Sequence, residues 1–271
     1  MTIEMKLTAD EYNALRFVDG KPAFTSTLAN ALRRMAPAKA LHQAQNPRTS
    51  KAFDMGTLVH SLVLEPEKRD YVVVEADSWR TKAAKEAADE ARAQGLLPIL
   101  GHELAEAQNI ANAVFAHKEA SKLLEQTARE VSLVDPSGPA PRLARLDAWK
   151  PGHIIDLKTT AGSANPSDFV RTGAQYGYHV QAAHYVAMAE ELTGERQDFS
   201  WIVVEKEAPY LVSVVHAEEF ALRVGSVALA SARVEWAKAC ETGIWAGYDE
   251  PETPAFPNWI EAELDDILGG M

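Results

Sequence analysis

The run HIIDLKTT, residues 153–160, directly behind a Pro151–Gly152 turn, constrains this chain more than any other feature. A strand alternates its faces with a period of two. Ile154, Asp156 and Lys158 therefore point one way, and Ile155 and Leu157 the other. With Pro151 and Gly152 at the centre of the turn, Lys150 faces His153, and the preceding RLARLDAWK becomes the partner strand. The same register sets Asp147 opposite Asp156 and Arg145 opposite Lys158. Opposed residues of an antiparallel pair have Cβ atoms roughly 4.5–5.5 Å apart. Two carboxylates so placed repel, which is costly in a pair that serves only structure. A divalent cation between them reverses the sign of that argument. Oxygen-rich sites with open positions suit magnesium, with manganese as a substitute. Lys158 adds a compact cation able to orient water or to neutralise a phosphate oxygen. Carboxylates, a metal and a lysine are together the parts of metal-assisted phosphodiester hydrolysis. The structural alternative is a surface ion pair between Asp156 and Lys158 on an edge strand. The apolar neighbours and Asp147 in register favour the chemical reading.

The surrounding pattern predicts a mixed α/β fold. LTADEYNAL opens a short helix with Thr8 and Glu11 spaced as a capping box. STLANALRRMAP is a helix stopped near Pro37. KAFDMGTLVHSLVLEPEK carries apolar residues at helical spacing and ends before Pro66. YVVVEA is a strand, TKAAKEAADEARAQG a solvated helix, and GHELAEAQNIANAVFAHKEASKLLEQ one further helix. Then REVSLVDP, APRLARLDAWK and HIIDLKTT follow as consecutive strands parted by Pro/Gly turns. NPSDFVRTG and YHVQAAHYVAMAEELTG are helices, the first with Asn165 as cap and Pro166 in its first turn. DFSWIVVEKEAPYLVSVVHA is a hairpin, and a long helix runs from about Glu218 to Gly243. No stretch between residues 40 and 245 has the composition of a linker. Residues 1–245 are therefore expected to form a single domain, with an N-terminal helical arm over about residues 1–50 and an acidic C-terminal tail over 246–271.

Composition narrows the function classes. The 271 residues are 46% hydrophobic and 24% charged, ordinary for a folded domain. One cysteine, Cys240, rules out an intramolecular disulfide framework and any four-cysteine cluster held by one chain. No signal-like core opens the sequence and no apolar run approaches ~18 residues, so a cytoplasmic protein without a membrane segment is expected. A formal net charge of −12 argues against nucleic-acid binding over the whole surface but leaves room for a local basic groove. Two helix pairs converge on the strands. Gly56 and His60 share a face in GTLVH, where an imidazole is either a core histidine or a metal ligand. Gln181 and Tyr185 share another in QAAHY, as an amide and a phenol at a core rim or as phosphate and lysine partners.

GTLVH, RLDAW, IIDLKTT and YHVQAAHY, in this order, resemble the PD-(D/E)XK nucleases of the RecB-like group, nearest to the exonuclease VIII (RecE-type) phage exonucleases. TSTLANALRRMAPAKALH and SWRTKAAKEAADEARAQG share the likeness, which runs from about residue 24 to 245. The resemblance implies a restriction-endonuclease-like core, a central mixed sheet flanked by helices. It implies His60, Asp147, Asp156 and the Leu157 backbone carbonyl as metal ligands, and Asp147, Asp156 and Lys158 as the catalytic set. Gln181 and Tyr185 match a motif associated with DNA contact and site support, and Arg145 matches a basic residue often found there. Leu146 stands where other branches have proline, and Glu130 is left outside the ligand set. The implied activity is magnesium-dependent degradation of linear double-stranded DNA from its 5′ end, leaving 3′ single strands. The implied assembly is a trimeric or tetrameric ring that threads DNA and works with a single-strand annealing protein in recombination. Arg33, Arg34, Lys39, Arg142, Arg145 and Arg171 are candidates for its basic channel. Another RecB-like nuclease, acting on single-stranded DNA, is a rival: a Cas4-like enzyme needs a cluster that one cysteine cannot hold, and a helicase-associated one needs a helicase domain. The rival from a different class is a non-catalytic scaffold that binds DNA ends. Finally, Trp259, Ile260, Leu264, Ile267 and Leu268 would form one apolar face of an acidic helix in the tail, either docked on the protein or offered to a partner.

Overall fold

The computed structural model describes residues 3–46, 55–248 and 253–255. The amphipathic segment at 259–268 lies outside them.

The chain begins with β1 (Ile3–Met5) and α1 (Ala9–Ala14), whose Thr8–Glu11 capping box forms as the sequence predicts. A short ribbon follows, β2 (Phe17–Val18) and β3 (Lys21–Pro22), then α2 (Ser26–Leu32) and α3 (Pro37–Gln45). Next come α4 (Met55–Leu64), β4 (Tyr71–Val74), α5 (Lys82–Ala93) and β5 (Leu97–Leu100). The single helix expected over residues 101–126 is two, α6 (Gly101–Ala116) and α7 (Lys118–Leu124). His117 breaks it: its backbone is extended, and its ring nitrogen accepts the Ala120 N–H and caps α7. The three predicted strands are β6 (Ala128–Asp135), β7 (Arg142–Lys150) and β8 (His153–Thr160). They lead into α8 (Pro166–Tyr176), α9 (Tyr178–Thr193), the hairpin β9 (Asp198–Glu205) and β10 (Val212–His216), and α10 (Glu219–Thr242).

The central sheet is mixed, in the order β1-β6-β7-β8-β9-β10. Only β8 and β9 run parallel, joined through α8 and α9. The edge strand β1 was not foreseen; it pairs antiparallel with β6 and anchors the start of the arm to the sheet. A separate two-stranded parallel unit, β4 with β5, lies outside this sheet.

One face of the sheet buries Ile155, Leu157, Ile202 and Val204 against Leu58 and Val59 of α4 and Ile110 and Val114 of α6. The other buries Ile154, Phe199, Trp201 and Val203 against Ala182, Tyr185 and Met188 of α9. Removing one such side chain costs about 2–5 kcal/mol. Behind α9, a third layer packs Leu28 and Leu32 of α2 with Leu229 and Trp236 of α10. Gly225 lets α10 approach α9 closely, because a Cβ there would sit 2.3 Å from the His179 carbonyl oxygen. The two faces thus bring α4 and α9 to opposite sides of β8, where the candidate residues lie.

Candidate active site

The β7–β8 register starts as the turn dictates, with Lys150 opposite His153, Trp149 opposite Ile154 and Ala148 opposite Ile155. There the ladder stops. The expected pairs Asp147–Asp156 and Arg145–Lys158 are not formed. Instead the Asp147 carboxylate accepts the Leu157 N–H at 2.8 Å, replacing a backbone acceptor with a side chain. On the other flank, Arg129 pairs with Ala148 and Val131 with Leu146, but the Glu130–Asp147 pair between them is absent. Glu130 there has φ +51, a left-handed conformation that costs a non-glycine residue about 1–3 kcal/mol. Asp147 is therefore the point at which the sheet opens on both sides.

Into this opening α4 brings His60, whose Nδ1 lies 3.8 Å from Asp147 Oδ2. His60, Glu130 and Asp147 each offer a donor atom, all within 4.8 Å of one another. Glu130 is the residue left out on sequence grounds. Only the β6–β7 register brings it here, and an acid in REVSLVD carries no local sign of it. Burial, reinforced by the neighbouring Asp156 carboxylate, pushes the Asp147 carboxyl up to about 6. His60 and Lys158 act against that rise.

Asp156 is buried, with 1% of its surface exposed. Its Oδ1 accepts from Gln181 Nε2 at 3.0 Å, and the same amide nitrogen donates to the Tyr185 hydroxyl at 3.2 Å. Its Oδ2 lies 2.6 Å from Lys158 Nζ but accepts no aligned hydrogen bond among the described residues. Burial alone would lower the Lys158 pKa, but the Asp156 and Asp147 carboxylates outweigh it and raise it, so the ammonium stays charged. Lys158 Nζ also stands 5.0 Å from the centre of the Tyr178 ring. Tyr178 was not singled out in the sequence, although it sits three residues before Gln181, one helical turn away.

A divalent cation fits this donor set. Two carboxylates and an imidazole converge, Glu130 keeping an oxygen for the ion while it also pairs with Arg145, and the buried Asp156 Oδ2 beside them has no aligned hydrogen bond among the described residues. Leu157 lies between the two halves, its side chain in the core and its N–H held by Asp147. Tyr185 is buried, so its position is one of support behind Gln181. Arg145 departs from the expectation. Its Nε donates to Glu130 at 2.5 Å and its guanidinium lies over the Tyr12 ring, so it holds the wall of the site. Arg142 also leaves the channel set: it is buried, donating to Asp135 and Glu191. Arg171 is exposed on α8, 3.8 Å from Asp168.

The family described as "PDDEXK-like domain of unknown function (DUF3799)" matches residues 26–248. No curated protein matches the sequence. Among solved structures, a candidate exonuclease from Eubacterium rectale is similar with a TM-score of 0.62 at 13% identity, covering 98% of this chain and 100% of that one. An alkaline exonuclease from Laribacter hongkongensis aligns with a TM-score of 0.31 at 15% identity, over 65% of this chain and 93% of that one. The first likeness shows a shared fold.

Proposed function

The chain belongs to the PDDEXK-like family DUF3799, within the PD-(D/E)XK nuclease superfamily, and on that premise we propose that it is a divalent-metal-dependent exodeoxyribonuclease. Its substrate is linear duplex DNA, degraded 5′ to 3′ to leave 3′ single strands for recombination by strand annealing. The observation that carries this reading is the interrupted ladder at Asp147, which gathers His60, Glu130, Asp147, Asp156 and Lys158 at one opening of the sheet.

His60, Glu130 and Asp147, with Asp156 and the Leu157 carbonyl beside them, are the residues that would hold magnesium or manganese. When bound, such a cation supplies positive charge to the crowded phosphate and acidifies water. The remaining work belongs to the side chains. Lys158, charged and held by Asp156, neutralises charge that develops on a phosphate oxygen, in a site where water screens little. Gln181 fixes the Asp156 carboxylate, and Tyr185 fixes Gln181, so the lysine is presented in one geometry. Asp147 holds the Leu157 N–H and keeps β8 in place as the ladder opens.

Residues 1–245 are proposed as one nuclease domain, and the assembly as a closed ring of three or four copies, in keeping with end-dependent attack on DNA. The test incubates the protein with linear and closed circular duplex in magnesium, with and without chelator, beside the Asp156→Asn variant. Metal-dependent loss of the linear form alone, absent in the variant, is the expected result. A chelator-resistant activity, or full activity in the variant, overturns the assignment. Binding to DNA ends without any cleavage would return the non-catalytic scaffold.

A further inference from the structure

Beside Lys158 lies a groove of about 450 Å³, lined by Asn30, Arg34, Tyr176, Tyr178, Gln181 and Tyr185. Nothing in the hydrolytic set accounts for its outer wall. Tyr176 is 60% exposed, yet its ring stacks on Tyr178 at 5.8 Å between centres and 29° between planes. Tyr178 in turn faces the Lys158 ammonium. Two aromatic rings therefore lead outward from the proposed catalytic lysine.

The pair is built rigidly. Gly177, between the two tyrosines, has φ +79, and a Cβ there would fall 2.2 Å from Asn30 Oδ1. Asn30 Nδ2 donates to the Tyr176 carbonyl at 2.5 Å and clamps the turn to α2. Gly173 lets the Tyr178 ring lie against α8, since a Cβ there would be 2.9 Å from Tyr178 Cδ2. Phe169 packs beside that ring at 5.6 Å between centres. An aromatic surface fixed in this way loses little conformational freedom when a ligand stacks on it.

The charge matches one class of ligand. Arg34 lines the groove and Arg33 lies next to it, its guanidinium donating to Asn30 Oδ1 at 3.0 Å. Among the described residues, neither arginine has a carboxylate partner. One exposed ring, Tyr176, backed by the half-buried Tyr178 and standing beside arginines that have no carboxylate partner among the described residues, offers what single-stranded nucleic acid requires, stacking for a base and charge for its phosphate.

We propose that the Tyr176–Tyr178 groove is the subsite for an unstacked nucleobase at the end of the strand under attack, with Arg34 serving its phosphate. The proposal rests on the nuclease reading of the adjoining site, which it extends from chemistry to substrate presentation. A frayed terminal base stacked on Tyr176 would hold its strand apart from the complement and direct the backbone past Tyr178 toward Lys158.

The experiment is a four-way binding cycle with the full chain in calcium, chosen to limit cleavage. It pairs unaltered protein and Tyr176→Ala with duplex ends whose 5′-terminal nucleotide is normal or abasic. Each single change is expected to weaken binding roughly 10-fold, within the range of base–aromatic stacking, and the two together no further. Tyr176→Phe should keep the affinity, because it keeps the ring. Independent, multiplicative losses, or an unchanged Tyr176→Ala, overturn the subsite. Magnesium-dependent cleavage by the unaltered protein is read in parallel. Cleavage with an uncoupled cycle sinks the subsite alone. A coupled cycle without cleavage sinks the nuclease reading and leaves a base-binding groove. Absence of DNA binding sinks both.

Discussion

The Asp147 carboxylate accepts the Leu157 backbone N–H at 2.8 Å, and in doing so takes the place of a rung in the β7–β8 ladder. Two strands that would otherwise zip together are parted at the one point where two acids approach. The repulsion that counts against a purely structural pair thus has a geometric outlet: the sheet opens. The opening admits His60 from α4 and Glu130 from β6.

The role given to Lys158 separates binding from chemistry. If its ammonium stabilises charge that exists only in the transition state, Lys158→Ala lowers kcat by about 10²-fold or more and leaves KM nearly unchanged. Single-turnover kinetics on a linear duplex make the measurement. A rise in KM with kcat intact would mean that the lysine is a DNA contact.

Asp147 is costly to the protein in the absence of a cation. It is a half-buried carboxylate whose neighbours include Asp156 and Glu130. Asp147→Asn is expected to raise the melting temperature in chelator by a few degrees, since about 1 kcal/mol moves a domain of this size by ~2–4 °C. Manganese should raise the melting temperature of the unaltered protein and leave that of the variant nearly still. Equal metal shifts in both proteins would remove Asp147 from the ligand set.

Stability should respond to pH through two opposed groups. His184 is buried and its pKa is depressed to about 4, because burial disfavours the imidazolium; a nitrogen of its ring contacts the Leu143 carbonyl at 2.9 Å. Between about 4 and the ordinary histidine value near 6.5, the unfolded chain binds the proton more readily. The stability from His184 is therefore complete above that window and is lost as pH falls through it. Asp147, raised to about 6 by burial, has the opposite sign: the folded metal-free protein takes up the proton first and loses stability as pH rises. The two slopes have opposite signs over overlapping windows, so each offsets part of the other. In chelator, Asp147→Asn should expose the His184 slope as a gain in unfolding free energy from pH 4.5 to 7, read by urea titration. A variant as flat as its parent would refute the pairing.

Arg142 tests the line between scaffold and channel. Its guanidinium is buried between Asp135 and Glu191, with Nε 2.6 Å from Asp135 Oδ2. Arg142→Ala withdraws the guanidinium from the buried Asp135, whose Ser137 contacts remain, and from the more exposed Glu191, and should cost about 3 kcal/mol of stability. Affinity for DNA, measured per folded molecule, should not change. A selective loss of affinity would restore Arg142 to the channel.

Much of the site was legible because its signals are local. The Pro151–Gly152 turn sets the first three β7–β8 pairs, and a period of two assigns the faces of Ile154 and Ile155. Asn165 accepts the Ser167 N–H as its place before Pro166 predicts, and Gly177 ends α8 in the left-handed conformation. Asp156 and Lys158 are two apart on one strand, and Gln181 and Tyr185 four apart on one helix, so both pairs could be read without a fold.

What the sequence determined by itself is therefore the set of elements and the short-range pairs within them: backbone propensity, capping and side-chain period act over a few residues. The tertiary structure alone decided that the ladder breaks at Asp147, that Glu130 joins His60 there, and that β1 closes the far edge of the sheet. It also decided that Arg142 and Arg145 turn inward to carboxylates, and that Tyr176 and Tyr178 stack above Lys158. Each of these depends on which surfaces are buried together. A charged side chain on a strand reads the same whether it faces water or a partner, and only packing, by removing the water, makes the partner obligatory.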